Sequence, residues 1–344
     1  MEVFEKKGFG ALAALTAGAL VSACAANSAM QGTPTAANGA ATGAMASRVF
    51  GNTSRCPQSV AYVVSSQTQT VKAYDRTNLK AGPCGTIDGF SSPQGLFVDA
   101  KGGLWVADAA MRTVFQFAPG KKAPTRELSD PSGVPIGIAV DDNRGTVYVT
   151  EYKNDLYPGT LVEVYAPGSD VPTASLSAPN AMHGGYPALD DRGNLYVTFM
   201  TNDDKAHVDR WKHGAGSPED LGLKLVSAGG IATTGSGALA ICDPYAFRCG
   251  VFAQGSNTMS HVFGHMGRLR GGIIPDKPPI IMPRALALNR GERHAYVISE
   301  SLSSWNFPGP AHRPNHLPVE QVKIPGLGGE GIAVTPAARP GAPY

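Results

Sequence analysis

Apolar and polar residues alternate in short runs along most of this chain, and turn residues separate the runs. Gly103 to Gly120, "GLWVADAAMRTVFQFAPG", shows the pattern: two stretches of strand-like alternation joined by a turn. Thr146 to Gly168, "TVYVTEYKNDLYPGTLVEVYAPG", repeats it down to the closing "APG". A triplet, apolar-aromatic-apolar in five copies and with Ala at the centre of the fifth, marks each repeat, centred on Tyr62, Trp105, Tyr148, Tyr196, Ala240 and Tyr296, at intervals of 43, 43, 48, 44 and 56 residues. A further apolar strand precedes most triplets: "GLFVDA" at Gly95, "GIAVDD" at Gly137, "YPALDD" at Tyr186, "GIATTG" at Gly230 and "ALALNR" at Ala285.

A period of 40–50 residues with four short strands per unit is the pattern of a β-propeller blade. Six triplets predict an all-β fold, a six-bladed β-propeller. The first triplet, "AYVVSS", has no opening strand before it, and "GIAVTP" at Gly331 has no triplet after it. Pairing the two completes blade 1 and leaves the ring without an open edge. The hairpin recurs because one blade cannot bury both of its faces alone.

Composition agrees with a turn-rich β-protein: 42 Gly, 27 Pro and only 16% charged residues. Lys and Arg (29) nearly balance Asp and Glu (27), which excludes the strong basic field of a nucleic-acid-binding protein. The N-terminal stretch carries Lys6 and Lys7 and then an apolar run from about Gly8 to Val21, short for a membrane span and suited to a signal-peptide core. It ends in "LVSAC", which resembles a bacterial lipobox. The resemblance implies cleavage before Cys24, lipidation of its thiol and, with Ala25 following, an outer-membrane destination in a Gram-negative host. From Ala25 to about Ser47 nearly every residue is small or polar, so this stretch cannot bury a core. The expected organisation is a signal peptide over 1–23, a flexible tether over 24–52 and the propeller over 53–344.

The repeated "P-x-G-[IL]-x-V-D-x-x-G-x-[LV]-[YW]-V-[AT]-[DE]" pattern resembles the NHL-repeat propellers and the wider six-bladed group that includes the SMP-30/gluconolactonase-like proteins. It covers about Val60 to Pro336. "VYAPGSDVPTASLS" is also similar to NHL-like bacterial proteins that repeat a "VYAPG…PT" hairpin. The resemblance bears on fold, because propellers host many unrelated activities.

An exported chain can hold disulfides. Cys242 and Cys249 in "ICDPYAFRCGVF" stand at either end of a turn begun by Asp243-Pro244 and are expected to be bridged. Cys56, before the first strand, and Cys84, in the outer strand of blade 1, are the remaining partners. No His or Cys spacing supports a metal site in their place.

The blade register also points to residues at the channel face. The positions just before the opening strands are Gln94, Ile136, Gly185, Gly229, Arg284 and Glu330. Closure sets Arg284 beside Glu330, either as an ion pair locking the ring or as a recognition pair. Tyr186 opens the blade 4 strand, and His183 precedes it in "MHGGY". Asp108, Glu151, Asp243 and Glu300 end second strands. There a carboxylate can accept backbone N–H bonds in the next turn or, as a ring, form an electronegative rim. In blade 6, "SLSSWNFPGPAHRPNHLP" is expected to be a long loop between strands two and three that carries Trp305, Phe307, His312, Arg313 and His316 to the same face, as a binding element or as a lid.

These readings favour a membrane-tethered binding scaffold, a monomer held by its lipid anchor, that takes a small molecule or protein at its channel face without a cofactor. The alternative implied by the SMP-30-like resemblance is a hydrolase or lyase using a divalent metal such as Ca2+, held by Glu, Asn and Asp at the channel mouth. Ile136, Gly185 and Gly229 depart from that pattern. No G-x-S-x-G, HExxH or phosphate-binding loop is present.

Overall fold

In four of the six repeats a glycine at the start of the innermost strand lets its backbone come close to that of the next repeat. A Cβ on Gly95 would stand 2.2 Å from the Ile136 carbonyl oxygen of the next repeat, and one on Gly331 would stand 2.0 Å from that of Gln94. Only glycine permits such an approach. Each innermost strand contacts the next, and the last contacts the first. The result, in this computed structural model, is a ring of six four-stranded antiparallel sheets, a six-bladed β-propeller. The described residues are 56, 59–121, 123–130, 133–152, 161–179, 181–263, 283–289, 291–308, 318–324 and 331–335.

Blade 1 contains β1 (Val60–Ser65), β2 (Thr70–Asp75) and β3 (Pro83–Ile87), with β24 (Ile332–Val334) as its inner strand. Tyr62 stands opposite Ala333, and Val63 opposite Ile332, so the expected closure is present. Thr335 reinforces it: its Oγ1 accepts from the Val60 amide at 2.7 Å. Blade 2 is β4 (Pro93–Val98), β5 (Leu104–Asp108), β6 (Thr113–Phe117) and β7 (Arg126–Ser129). Blade 3 is β8 (Val134–Asp141), β9 (Thr146–Tyr152), β10 (Val162–Tyr165) and β11 (Ala174–Leu176). Blade 4 is β12 (Ala181–Leu189), β13 (Leu195–Thr201), β14 (Ala206–Trp211) and β15 (Glu219–Asp220). Blade 5 is β16 (Ile231–Thr233), β17 (Leu239–Asp243), β18 (Arg248–Phe252) and β19 (Met259–Phe263). Blade 6 is β20 (Ala285–Leu288), β21 (His294–Ile298), β22 (Ser301–Asn306) and β23 (Glu320–Lys323).

The turn between strands one and two is built by a side chain. In blade 2, Asp99 Oδ1 accepts from the amides of Lys101 and Gly103, while Oδ2 accepts from Trp105 Nε1. Asp190 does the same work in blade 4 with Arg192, Asn194 and the Tyr196 hydroxyl. The core lies between blades. Leu104, Val106 and Phe115 of blade 2 pack on Tyr62, Val64 and Ala73 of blade 1, and the same layering continues around the ring. Each large side chain buried in such a layer contributes about 1.5–3 kcal/mol.

Both disulfides form. Cys56 bonds Cys84, tying the segment before β1 to the outer strand of blade 1. Cys242 bonds Cys249. These two are directly opposite one another in the β17–β18 ladder and are fully buried, so the expected bridge ties the two strands just before and just after the turn begun by Asp243-Pro244.

The blade 6 expectation needs correction. Its strands two and three are joined by Ser299 and Glu300 alone, and "SLSSWN" is the third strand. Trp305 and Phe307 do not project from a loop: both are buried between blades 5 and 6, against Phe263. Trp305 Nε1 donates to Ser303 Oγ at 2.8 Å, so serines that look like loop residues serve as buried strand partners. The long connection therefore joins strands three and four, and the strand ends it links, Asn306 and Glu320, lie at the face opposite the one expected. His312, Arg313 and His316 lie outside the described residues, as do Cys24 and the tether.

Candidate functional site

The six innermost strands enclose a central channel of about 150 Å³. Its lining is mostly apolar: Phe97, Ile138, Tyr186, Ile231, Leu288 and Val334 are among the contributors, and Asp142 is the one carboxylate among the described residues that line it. The apolar character follows from the strand pattern. Inner strands are covered by neighbouring blades on both faces, so they are written as near-continuous apolar runs.

Of the expected channel-face residues, Tyr186 lines the channel. Gln94 is half-buried just outside the lining, and its Nε2 donates to Ser92 Oγ at 3.2 Å. Arg284 is half-buried before β20, and its amide donates to the Ile298 carbonyl oxygen. Its expected neighbour Glu330 lies outside the described residues. His183 is paired with Met200 in the β12–β13 ladder, and its side chain is outside the description. Glu300 is exposed in the two-residue turn after β21, and the position equivalent to Asp108 falls to the buried Ser299 beside it.

The strand-end carboxylates do not form an open electronegative rim. Asp108 is fully buried and accepts from the amides of Ser91, Ser92 and Met111 at 2.7–3.0 Å. Asp243 is fully buried and accepts from the amides of Val226 and Ser227, with Arg248 Nη2 at 3.4 Å. Both carboxylates cap the chain as it enters the innermost strand of their own blade.

Glu151 occupies the same register position in blade 3 and differs. It is fully buried, neither carboxyl oxygen receives a bond from an N–H or hydroxyl group, and the Asp130 carboxyl stands within hydrogen-bonding reach of it. The Gly133 amide, which corresponds to Ser91 of blade 2, donates to Asp130 Oδ1 at 3.0 Å. Burial pushes the Glu151 carboxyl far above the ordinary carboxylate range, and the neighbouring Asp130 and Glu163 push it further. The Tyr165 hydroxyl, which donates to the Ser129 carbonyl oxygen, is raised by burial and then by the same carboxylates. Glu151 is thus a neutral acid enclosed between blades 2 and 3, shut off from any ligand at the channel mouth.

A divalent metal of the SMP-30-like kind does not fit the described channel. Ile136, Gly185 and Gly229 offer no donor side chain, and the lining supplies a single carboxylate. A different cluster was not evident in the sequence: His207, Asp209 and Asp220 converge on the outer edge of blade 4.

No protein-family model matches the chain, and no curated protein sequence does. Solved structures with the same fold do match. A chain of the nidogen/laminin complex is 16% identical with a TM-score of 0.60, over 82% of this chain and 100% of that one. Kuenenia stuttgartiensis hydrazine synthase is 13% identical with a TM-score of 0.51, over 71% of this chain and 72% of that one. A functionally unknown protein from Desulfotomaculum acetoxidans DSM 771 is 13% identical with a TM-score of 0.50, over 77% and 80%. At these identities the likeness establishes the six-bladed propeller and nothing finer.

Proposed function

We propose that this protein is an exported binding scaffold, anchored through a lipid on Cys24, whose channel recess receives one apolar group of side-chain size. The observation that carries the reading is the recess itself. Its volume of about 150 Å³ matches a cavity that holds one benzene-sized ring, well below the 300–1,000 Å³ of pockets for larger ligands. Its walls offer aromatic and branched aliphatic side chains with few polar partners, which suits an aromatic or aliphatic anchor from a protein partner or a small hydrophobe. One structural neighbour is a chain of a protein–protein complex, which accords with a scaffold role. The two disulfides favour an oxidising compartment, and the lipobox-like "LVSAC" supplies the route to it. An NHL-like ancestry fits the repeat pattern, and a monomer fits a ring that closes on itself.

Titration of the chain with benzene or indole, followed by ligand-observed NMR, tests the recess. Wild-type protein should bind one equivalent saturably, and Ala232→Phe or Ala287→Phe, at two of the lining positions, should weaken binding at least tenfold. Equal binding by wild type and both filled variants, or none by wild type, overturns the site. The anchor is tested separately: Cys24→Ala should move the protein from the membrane to the soluble fraction, and retention in the membrane overturns lipidation.

A further inference from the structure

We propose that His207, Asp209 and Asp220 form a binding site for a divalent first-row transition ion of the zinc class, on the outer edge of blade 4. His207 and Asp209 are two residues apart on β14, so their side chains share one face of the sheet. Asp220 on β15 is the direct cross-strand partner of Asp209. One ligand atom from each of the three residues lies within 4.8 Å of the others, and His207 Nδ1 is 3.0 Å from Asp220 Oδ2. Metal–ligand bonds of about 2.1 Å place neighbouring ligands about 3.4 Å apart in a tetrahedral shell, so small side-chain adjustments close the set around one ion.

The second observation is Asp209 itself. It is only 3% exposed, and its Oδ1 is buried without a hydrogen-bond partner. The charges acting on it are Asp220, a like charge directly across the ladder, and His207. Arg210 is paired with Glu219, from the adjacent register position, whose side chains point to the other face of the sheet. A buried carboxylate with one unpartnered oxygen, facing a second carboxylate, is costly unless a cation joins them.

The surroundings suit ligation. Phe199 stacks on the His207 imidazole, with centroids 5.5 Å apart and planes 18° from parallel, and so sets the ring orientation. The His207 and Asp220 side chains are 29% and 49% exposed, which leaves an approach for the ion and room for water ligands. One imidazole with two carboxylates is a zinc-class donor set; Ca2+ takes six to eight oxygens and gains little from imidazole.

The test uses the full chain, purified in detergent and stripped with chelator. Calorimetric titration with ZnCl2 should give one equivalent per chain, and CaCl2 at hundredfold excess should not displace it. His207→Gln, Asp209→Asn and Asp220→Asn should each weaken Zn2+ at least tenfold. X-ray absorption should report nitrogen and oxygen ligands at about 2.0–2.1 Å without sulfur. Because Asp209 is buried, thermal melts of the metal-free variants separate misfolding from lost ligation, and the half-exposed Asp220 provides a variant that keeps the fold. Absent Zn2+ binding by the full chain, or affinity unchanged in folded Asp209→Asn and Asp220→Asn, overturns the site.

Discussion

Asp108 in blade 2 and Glu151 in blade 3 hold the same position in the repeat, three residues after the central aromatics Trp105 and Tyr148, and they differ by one methylene. Asp108 spends both oxygens on three backbone amides. Glu151 receives no backbone amide and faces the Asp130 carboxyl, which has taken the amide of Gly133. The longer side chain instead lies against that glycine: a Cβ on Gly133 would stand 1.8 Å from Glu151 Oε2. Repetition of a fold therefore does not repeat its chemistry. A short carboxylate at this point locks the chain entering the inner strand, and a longer one beside a competing carboxylate becomes a buried neutral acid.

The strongest way to break the comparison is to remove the Asp108 cap. Asp108→Ala leaves the amides of Ser91, Ser92 and Met111 without their acceptor at a fully buried site, and should cost about 3–5 kcal/mol in urea unfolding at pH 7. Asp108→Asn keeps one acceptor oxygen and should lose less. A cost near zero for Asp108→Ala would mean that the amides find water and that the cap is dispensable.

Glu151 should behave in the opposite sense. Its folded-state pKa is raised above the ordinary value of 4.5, so its stabilising neutral form is fully present below pH 4.5 and is lost as pH rises toward the folded value. Glu151→Gln removes that penalty. The variant should match wild type near pH 4 and exceed it by about 2 kcal/mol at pH 8, read from denaturant midpoints across the pH range. A variant less stable than wild type at pH 8 would show that the Glu151 carboxylate is ionised and paired in the folded protein.

These contrasts also show what the sequence could disclose. The triplet spacing and the stranded "GIAVTP" were enough for six blades and their closure, because both follow from period-two alternation and the need to pair edges. The third strand of blade 6 was hidden by its own residues: Ser303 and Ser304 read as loop, yet both are buried, and Ser303 Oγ donates to the Val297 carbonyl oxygen. The His207–Asp209–Asp220 cluster was hidden for a different reason. It depends on the β14–β15 register, and a separation of 11 residues between Asp209 and Asp220 forms no recognisable ligand motif. The fate of Glu151 was equally illegible, because it turns on which of two carboxylates wins one amide.

The smallest expected effect sharpens the register itself. Counting three residues past Tyr296, the blade 6 equivalent of Asp108 is Ser299, which is buried, whereas the acidic Glu300 next to it is exposed in the two-residue turn between β21 and β22. If position in the repeat decides what a carboxylate does, Glu300 caps nothing. Glu300→Ala should then shift the thermal midpoint by no more than about 1–2 °C, far less than Asp108→Ala. The Ser299 amide donates to the Ser301 carbonyl oxygen, so the turn is held by its own backbone and does not need the carboxylate. A loss from Glu300→Ala comparable to that from Asp108→Ala would place the Glu300 carboxylate among the caps and move the blade 6 register by one residue. Such a slip would turn Tyr296, now packed toward blade 1 with Arg76 over its ring, to the opposite face of its sheet, so the thermal midpoint of one exposed-residue variant checks the alignment of a whole blade.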